Sequence, residues 1–142
     1  MRRLADPDAT VRYWAAIGLR VVGHEAESSK DALRKAMDDS SMAVQIEAAG
    51  ILAAQWGDSA ALEKLAGIIQ SDDRLAVIYA ARTLQIMGEK ARKVLPAMKI
   101  AVEKSDDMYA KESLKNAIRA LSGPGAELLD LPKKKRSSRK KK

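Results

Sequence analysis

The chain contains no cysteine. That absence rules out a disulfide framework, thiolate metal sites and a cysteine nucleophile, and redox chemistry gives no information on its compartment. Aromatic residues are scarce, at 4%, and histidine occurs once, as His24. A Ser-His-Asp arrangement would need that single imidazole, and no motif in the sequence places a nucleophile against it. The stretch "GHEAESS" sets His24 beside Glu25 and Glu27, which is too few ligands on too flexible a spacing for a zinc site. His24 is expected as an exposed loop residue. Glycines stand singly as breakers, so no phosphate-cradling loop is present. No apolar run reaches the roughly 18 to 20 residues of a membrane helix, and "MRRLADPDAT" has two arginines without an apolar stretch behind them. The reading is therefore of a chain without catalytic, cofactor or metal residues of its own, without a span and without an export signal.

What the sequence does have is a repeat. Paired alanines stand at Ala15/Ala16, Ala48/Ala49 and Ala80/Ala81, in steps of 33 and 32 residues, a period that points to a solenoid. Around each pair the apolar residues fall at helical spacing: Val11, Ala15, Leu19 and Val22; Val44, Ala48 and Leu52; Val77, Ala81, Leu84 and Met87. These stripes are expected to be buried. Gly23, Gly57 and Gly88 close the three copies as C-terminal breakers. At the start of the first copy, Asp6 is expected to cap with Pro7 at the first helical position, and Ser71 and Ser105, each followed by Asp-Asp, to cap later ones. The acidic pairs Asp38-Asp39, Asp72-Asp73 and Asp106-Asp107 are read as helix-start chemistry and not as calcium ligands.

Between these helices lie second amphipathic segments at about residues 29–38, 59–70 and 91–104. In the last of them Pro96 predicts a short first turn, a bend, and a main helix from near Leu95. A final helix spans about 108–121, with Leu114, Ala117, Ile118 and Leu121 on one face. The unit is a helical hairpin that buries one face on its neighbour, with small alanines letting the hairpins approach closely. Trp14 and Trp56, next to these alanines, are read as core or groove-edge packing residues. "RRLADPD" reads as the last turn of a preceding helix, with Leu4 its final apolar contact, so the array is expected to be partial.

The net charge of +7 is local in origin. The run "KKKRSSRKKK" holds 8 of the 26 basic residues and no acid, leaving 18 basic against 19 acidic residues in the rest. The sequence thus divides into a near-neutral repeat domain, 1–123, and a basic tail, 124–142, which is expected to be disordered. Lys133, Lys134, Lys135, Arg136, Arg139, Lys140, Lys141 and Lys142 are the candidate polyanion-binding residues, through nonspecific attraction.

"DPDATVRYWAAIGL" resembles the HEAT-like repeats first associated with bilin lyases, whose pattern is an acidic turn, Val-Arg, paired alanines and Leu before Gly. The second copy has Gln45 in place of Arg and one extra residue before Gly57, and the third is one residue short. The resemblance implies an all-α fold: a right-handed α-solenoid of about three to four HEAT-like hairpins. More narrowly, residues 4–121 resemble the helical region C-terminal to the catalytic domain in bacterial sulfatases of the arylsulfatase and heparan-sulfamidase type, on "DPDATVRYWAAIGL", "AVQIEAAGIL", "YAARTLQIMGEKA" and the Tyr109 helix. The Cys/Ser-x-Pro-x-Arg motif of those enzymes is missing, so no catalytic residue carries over. What this resemblance implies is a noncatalytic accessory segment whose partner is a sulfatase catalytic domain, extracytoplasmic if the parent enzyme is exported. The alternative is a free-standing module that binds another protein along its concave face, and a third class, a lyase- or glycosylase-like repeat enzyme, is disfavoured by five aromatics, one His and no Cys.

Overall fold

A computed structural model describes residues 2–123, and within them it holds seven α-helices and three 3-10 segments, with no strand among the described residues. Four helices are long: α1 (Ala9–Val22), α3 (Met42–Trp56), α5 (Arg74–Met87) and α7 (Met108–Ser122). Three are short: α2 (Lys30–Ala36), α4 (Ser59–Ile68) and α6 (Leu95–Lys104). Successive long helices pack side by side, α1 on α3, α3 on α5 and α5 on α7, and form one layer. The short helices lie behind it: α2 packs against α3, α4 between α3 and α5, and α6 against α7. This is the helical-hairpin stack, an α-solenoid, that the alanine period predicts.

The glycines stop the long helices where expected. Gly23, Gly57 and Gly88 take φ of 71°, 65° and 59°, a region in which a Cβ is strained, so the chain turns there at no steric cost. Pro96 also acts as expected: a 3-10 turn over Gly88–Val94 runs into α6, whose first turn the proline occupies.

The N-caps differ from the sequence reading. α1 is capped by Asp8 and not Asp6, its carboxylate accepting from Thr10 N at 2.7 Å, and Pro7 lies outside the helix. Asp6 Oδ1 accepts from Asp8 N at 2.9 Å instead, and Arg12 Nη1 donates to the Asp6 and Pro7 carbonyls at 2.8 and 3.0 Å. Asp73 and Asp107, not Ser71 and Ser105, cap α5 and α7, accepting from Ala76 N at 3.0 Å and Ala110 N at 2.8 Å. The serines turn to backbone carbonyls instead, Ser71 Oγ to that of Ile68 and Ser105 Oγ to that of Asp107. Asp39 does a different job from its repeat counterparts: Arg12 clasps it with two charge-assisted bonds of 2.7 and 2.8 Å, pinning the start of α1 to the turn before α3.

The core runs between the two layers. Val44, Ala48 and Leu52 of α3 are fully buried, as are Ala81 and Leu84 of α5 and Leu114, Ala117 and Leu121 of α7. The expected stripe of α1 is a correction. Val11, Ala15 and Leu19 are half-buried and Val22 is exposed, and Ala16 is the buried residue of that helix. α1 has a long-helix neighbour on one side only, so the same residue pattern meets fewer partners. Leu4, in a 3-10 turn at Arg2–Ala5, is buried against α1 and α2.

Candidate functional site

The open face of the long-helix layer is built from four positions per helix, on a spacing that returns to the same side of an α-helix. From α1 these are Thr10, Trp14, Ile17 and Val21; from α3, Ala43, Glu47, Gly50 and Ala54; from α5, Leu75, Tyr79, Arg82 and Ile86. The side chains differ in height. α1 and α5 raise large residues, with Trp14 63% exposed, Val21 82% and Ile86 62%, whereas α3 between them offers Ala, Gly and Ala. The result is a trough along α3 with apolar ridges on both sides. α7 continues the face with exposed Tyr109.

Gly50 sets the depth of the trough. A Cβ there would stand 2.5 Å from Thr83 Cγ2, so a larger residue at this position would require the Thr83 side chain to move. Thr83 is fixed from its own side, its Oγ1 donating to the Tyr79 carbonyl at 3.0 Å.

Across the middle of the trough runs a polar bridge. Glu47 is the single charged residue of α3, and it is 3% exposed. A buried carboxylate needs partners, and the two flanking helices, α1 and α5, supply them. Tyr79 of α5 donates its hydroxyl to Glu47 Oε2 at 2.6 Å. The Tyr13 hydroxyl of α1 lies 3.1 Å from that of Tyr79. Since Tyr79 has one proton and Glu47 takes it, Tyr13 is the donor in that second bond. Burial, and then the Glu47 hydrogen bond, hold the Tyr79 phenol well above the usual tyrosine range, so it remains a donor and does not serve as an acid or base at neutral pH. The Tyr13 ring also meets Tyr79 edge-on at 6.4 Å and Trp14 at 5.8 Å.

On the C-terminal side of this bridge the trough deepens into a cleft of about 290 Å³, floored by Gly50, Ile51 and Ala54 and walled by Thr83, Ile86 and Met87. Its polar groups are incompletely matched. Glu47 Oε1 stands 3.2 Å from Arg20 Nε, an ion pair, yet makes no hydrogen bond. Gln55 donates Nε2 to the Arg20 carbonyl at 3.3 Å and leaves its own buried Oε1 without a partner. At the rim are the cations Arg20 and Lys90, the latter bonded to the Ala54 carbonyl. The cleft thus combines a buried acceptor without a donor, rim cations and an apolar wall.

The residues singled out in the sequence lie elsewhere or at the margin. Trp14 is a rim residue and not a core one. Trp56 is half-buried at the end of α3, with Lys30 Nζ 5.3 Å above its ring, a cation–π contact. The acidic pairs sit in the turns before the long helices. One cleft there, of about 240 Å³, is ringed by Asp72, Arg74, Lys104, Asp106 and Asp107, and Arg74 already faces Asp107 at 3.8 Å. No group of three or more His, Asp or Glu is arranged to hold a metal among the described residues. His24 falls in the 3-10 segment after α1, but its side chain lies outside what is described, as does the whole basic run Lys133 to Lys142. The Glu47 network escaped the sequence reading, although a lone acid inside "AVQIEAAGILAAQW" was its visible sign.

No described helix is long and apolar enough to cross a membrane. No curated protein and no solved structure matches the chain. The sequence profile of the family described as HEAT repeats matches residues 1–85 and, in a second register, 31–122. With hairpins stacked in the same order along those residues, the chain belongs to the HEAT repeats family.

Proposed function

We propose that this protein is a noncatalytic repeat scaffold that docks another protein across the open face of its long helices. The observation that carries this is the set of large apolar side chains, Trp14 and Val21 on α1, Leu75 and Ile86 on α5 and Tyr109 on α7, left exposed along the ridges of one face. Exposed apolar groups gathered on one face support an interaction site, and aromatic residues are enriched in such sites. The test is photo-crosslinking in the native host from a benzophenone side chain placed at Trp14 or Ile86, with Ile100 on the short-helix layer as control. Adducts are expected from the first two positions, competed by unlabelled chain and not by a Trp14→Ser, Ile86→Ser variant. Equal adducts from Ile100 would overturn the assignment of the face.

The narrower proposal, an accessory segment serving a sulfatase-type catalytic domain, is supported by the sequence resemblance of residues 4–121. An in-frame Cys/Ser-x-Pro-x-Arg motif in the codons ahead of Met1 is the expected finding, and a stop codon directly ahead would overturn it. The division into a repeat domain at 1–123 and a basic tail at 124–142 is also a proposal, with the tail's 8 cations as a nonspecific polyanion contact. Deleting 133–142 is expected to abolish heparin binding and its steep salt dependence. Retention of the same salt slope would transfer that contact to the repeats.

A further inference from the structure

Resting on the docking reading, we infer that the cleft between α3 and α5 takes an extended peptide segment of the partner with an apolar side chain at its centre and acidic residues on its flanks. Each part of that description answers a feature of the cleft.

The extended backbone answers the buried acceptors. Gln55 Oε1 is buried without a hydrogen-bond partner, Glu47 Oε1 is buried with Arg20 Nε at 3.2 Å as its only counterpart, and both residues line the same cleft. A buried acceptor left without a donor is costly, and a ligand that supplies one recovers that cost. Glu47 and Gln55 are eight residues apart on one helix, about 12 Å at 1.5 Å per residue. An extended chain advances about 3.3 Å per residue, so two N–H groups four residues apart, pointing the same way, span about 13 Å. An extended segment of about five residues laid along α3 therefore covers the length of helix between Glu47 and Gln55.

The apolar centre answers the floor. Between the acceptors lie Gly50 and Ala54, with no side chain beyond a methyl, and the wall beside them is Ile86, exposed in the free protein. A side chain of leucine size fits in that space and covers Ile86.

The acidic flanks answer the rim. Arg20 and Lys90 line the cleft, and Arg82 lies exposed one turn before Ile86 on the same face of α5. The one acid is Glu47, whose charge is already held by Tyr79 and Arg20. Arg20 offers a single nitrogen to Glu47 out of the five donors of a guanidinium, so its remaining donors are available to a carboxylate. A cationic segment would enter between like charges and is disfavoured.

The test uses the full chain and fluorescence anisotropy at physiological ionic strength. The probe is a fluorescein-labelled, end-capped peptide with a central Leu-Leu pair and Asp-Glu on each side. Saturable binding is expected, weakened at least about tenfold by Ile86→Glu and by the pair Arg20→Gln, Lys90→Gln, and partly by the neutral Ile86→Ser. Lys99→Glu on the short-helix layer makes a matched charge change away from the cleft and is expected to bind as the parent does. Helical content and urea midpoint, measured for every variant, show that each is folded. Absence of saturable binding, equal binding of a peptide with both leucines replaced by serine, or an equal loss with Lys99→Glu would each overturn the inference; the last would assign the attraction to the overall charge of the chain. If the peptide fails while crosslinks at Trp14 and Ile86 persist, the acidic-peptide chemistry falls and the docking face stands. If both fail, both fall.

Discussion

α1 and α3 carry the same repeat signature 33 residues apart, yet one has a single buried residue and the other has nine. The pattern of side chains is nearly the same; the number of neighbours is not. α3 lies between α1 and α5 and over α2 and α4, whereas α1 meets a long helix on one side alone. In a stacked array, then, burial belongs to the position of a helix in the row as much as to its residues. The site adds a second difference, because α3 puts Ala43, Gly50 and Ala54 at the positions where α1 has Thr10, Ile17 and Val21 and α5 has Leu75, Arg82 and Ile86.

The widest gap is expected from equivalent leucines. Leu52→Ala, at a fully buried position, should cost about 2 to 5 kcal/mol, and Leu19→Ala at the matching half-buried place in α1 about 1 kcal/mol. Urea melts giving equal midpoints for the two variants would break the contrast. Next comes overpacking. Ala48→Leu in α3 should cost about 1 to 3 kcal/mol, while Ala15→Leu in α1 has room to settle and should cost less than about 0.5 kcal/mol.

A smaller effect, of about 1 to 2 kcal/mol, is expected for Tyr79→Phe, which strips the buried Glu47 of its hydrogen-bond donor. Tyr13→Phe should cost about half of that, and a double-mutant cycle should show the two effects to be coupled. Thermal melts of the four proteins decide it, and strict additivity would separate the two tyrosines.

The clasp between α1 and the turn before α3 titrates. The Arg12 hydrogen bonds hold Asp39 below the usual carboxylate range, against an opposing desolvation. A carboxyl with a lower value in the folded than in the unfolded chain gives stability that is complete above the unfolded value and is lost as pH falls through the folded one. Asp39→Asn should therefore lower stability at neutral pH and flatten its decline in acid, as read from urea midpoints between pH 7 and pH 3. An unchanged acid profile would remove Asp39 from that role. The smallest effect is expected at the rim, where Trp14→Ser should change stability by less than about 0.5 kcal/mol while crosslinking at the face is lost.

Much of the stack was legible in the sequence because its signals are local. Paired alanines mark close approach, Gly23, Gly57 and Gly88 mark helix ends, and Pro96 marks a bend, each through its own covalent chemistry. The caps misled by two residues. Ser-Asp-Asp and Asp-Pro-Asp each offer more than one competent side chain, and at α1 the Asp6 carboxylate is taken by the Asp8 N–H while Asp8 takes that of Thr10. The trough was not legible, since its floor comes from α3 and its ridges from residues about one repeat away on either side. Glu47 alone announced it, as an acid with no partner in its own helix.

The hydrogen bond between Tyr13 and Tyr79 joins the first hairpin to the third over the top of the second. Repeat arrays are ordinarily described by a one-dimensional chain in which each unit feels only the adjacent ones. Here a next-nearest-neighbour coupling is added, and the middle unit's carboxylate is clamped by it. Such an array resists opening at its centre. Fraying of the first hairpin alone would loosen the third, so the three hairpins should melt as one cooperative unit and not peel away from an end.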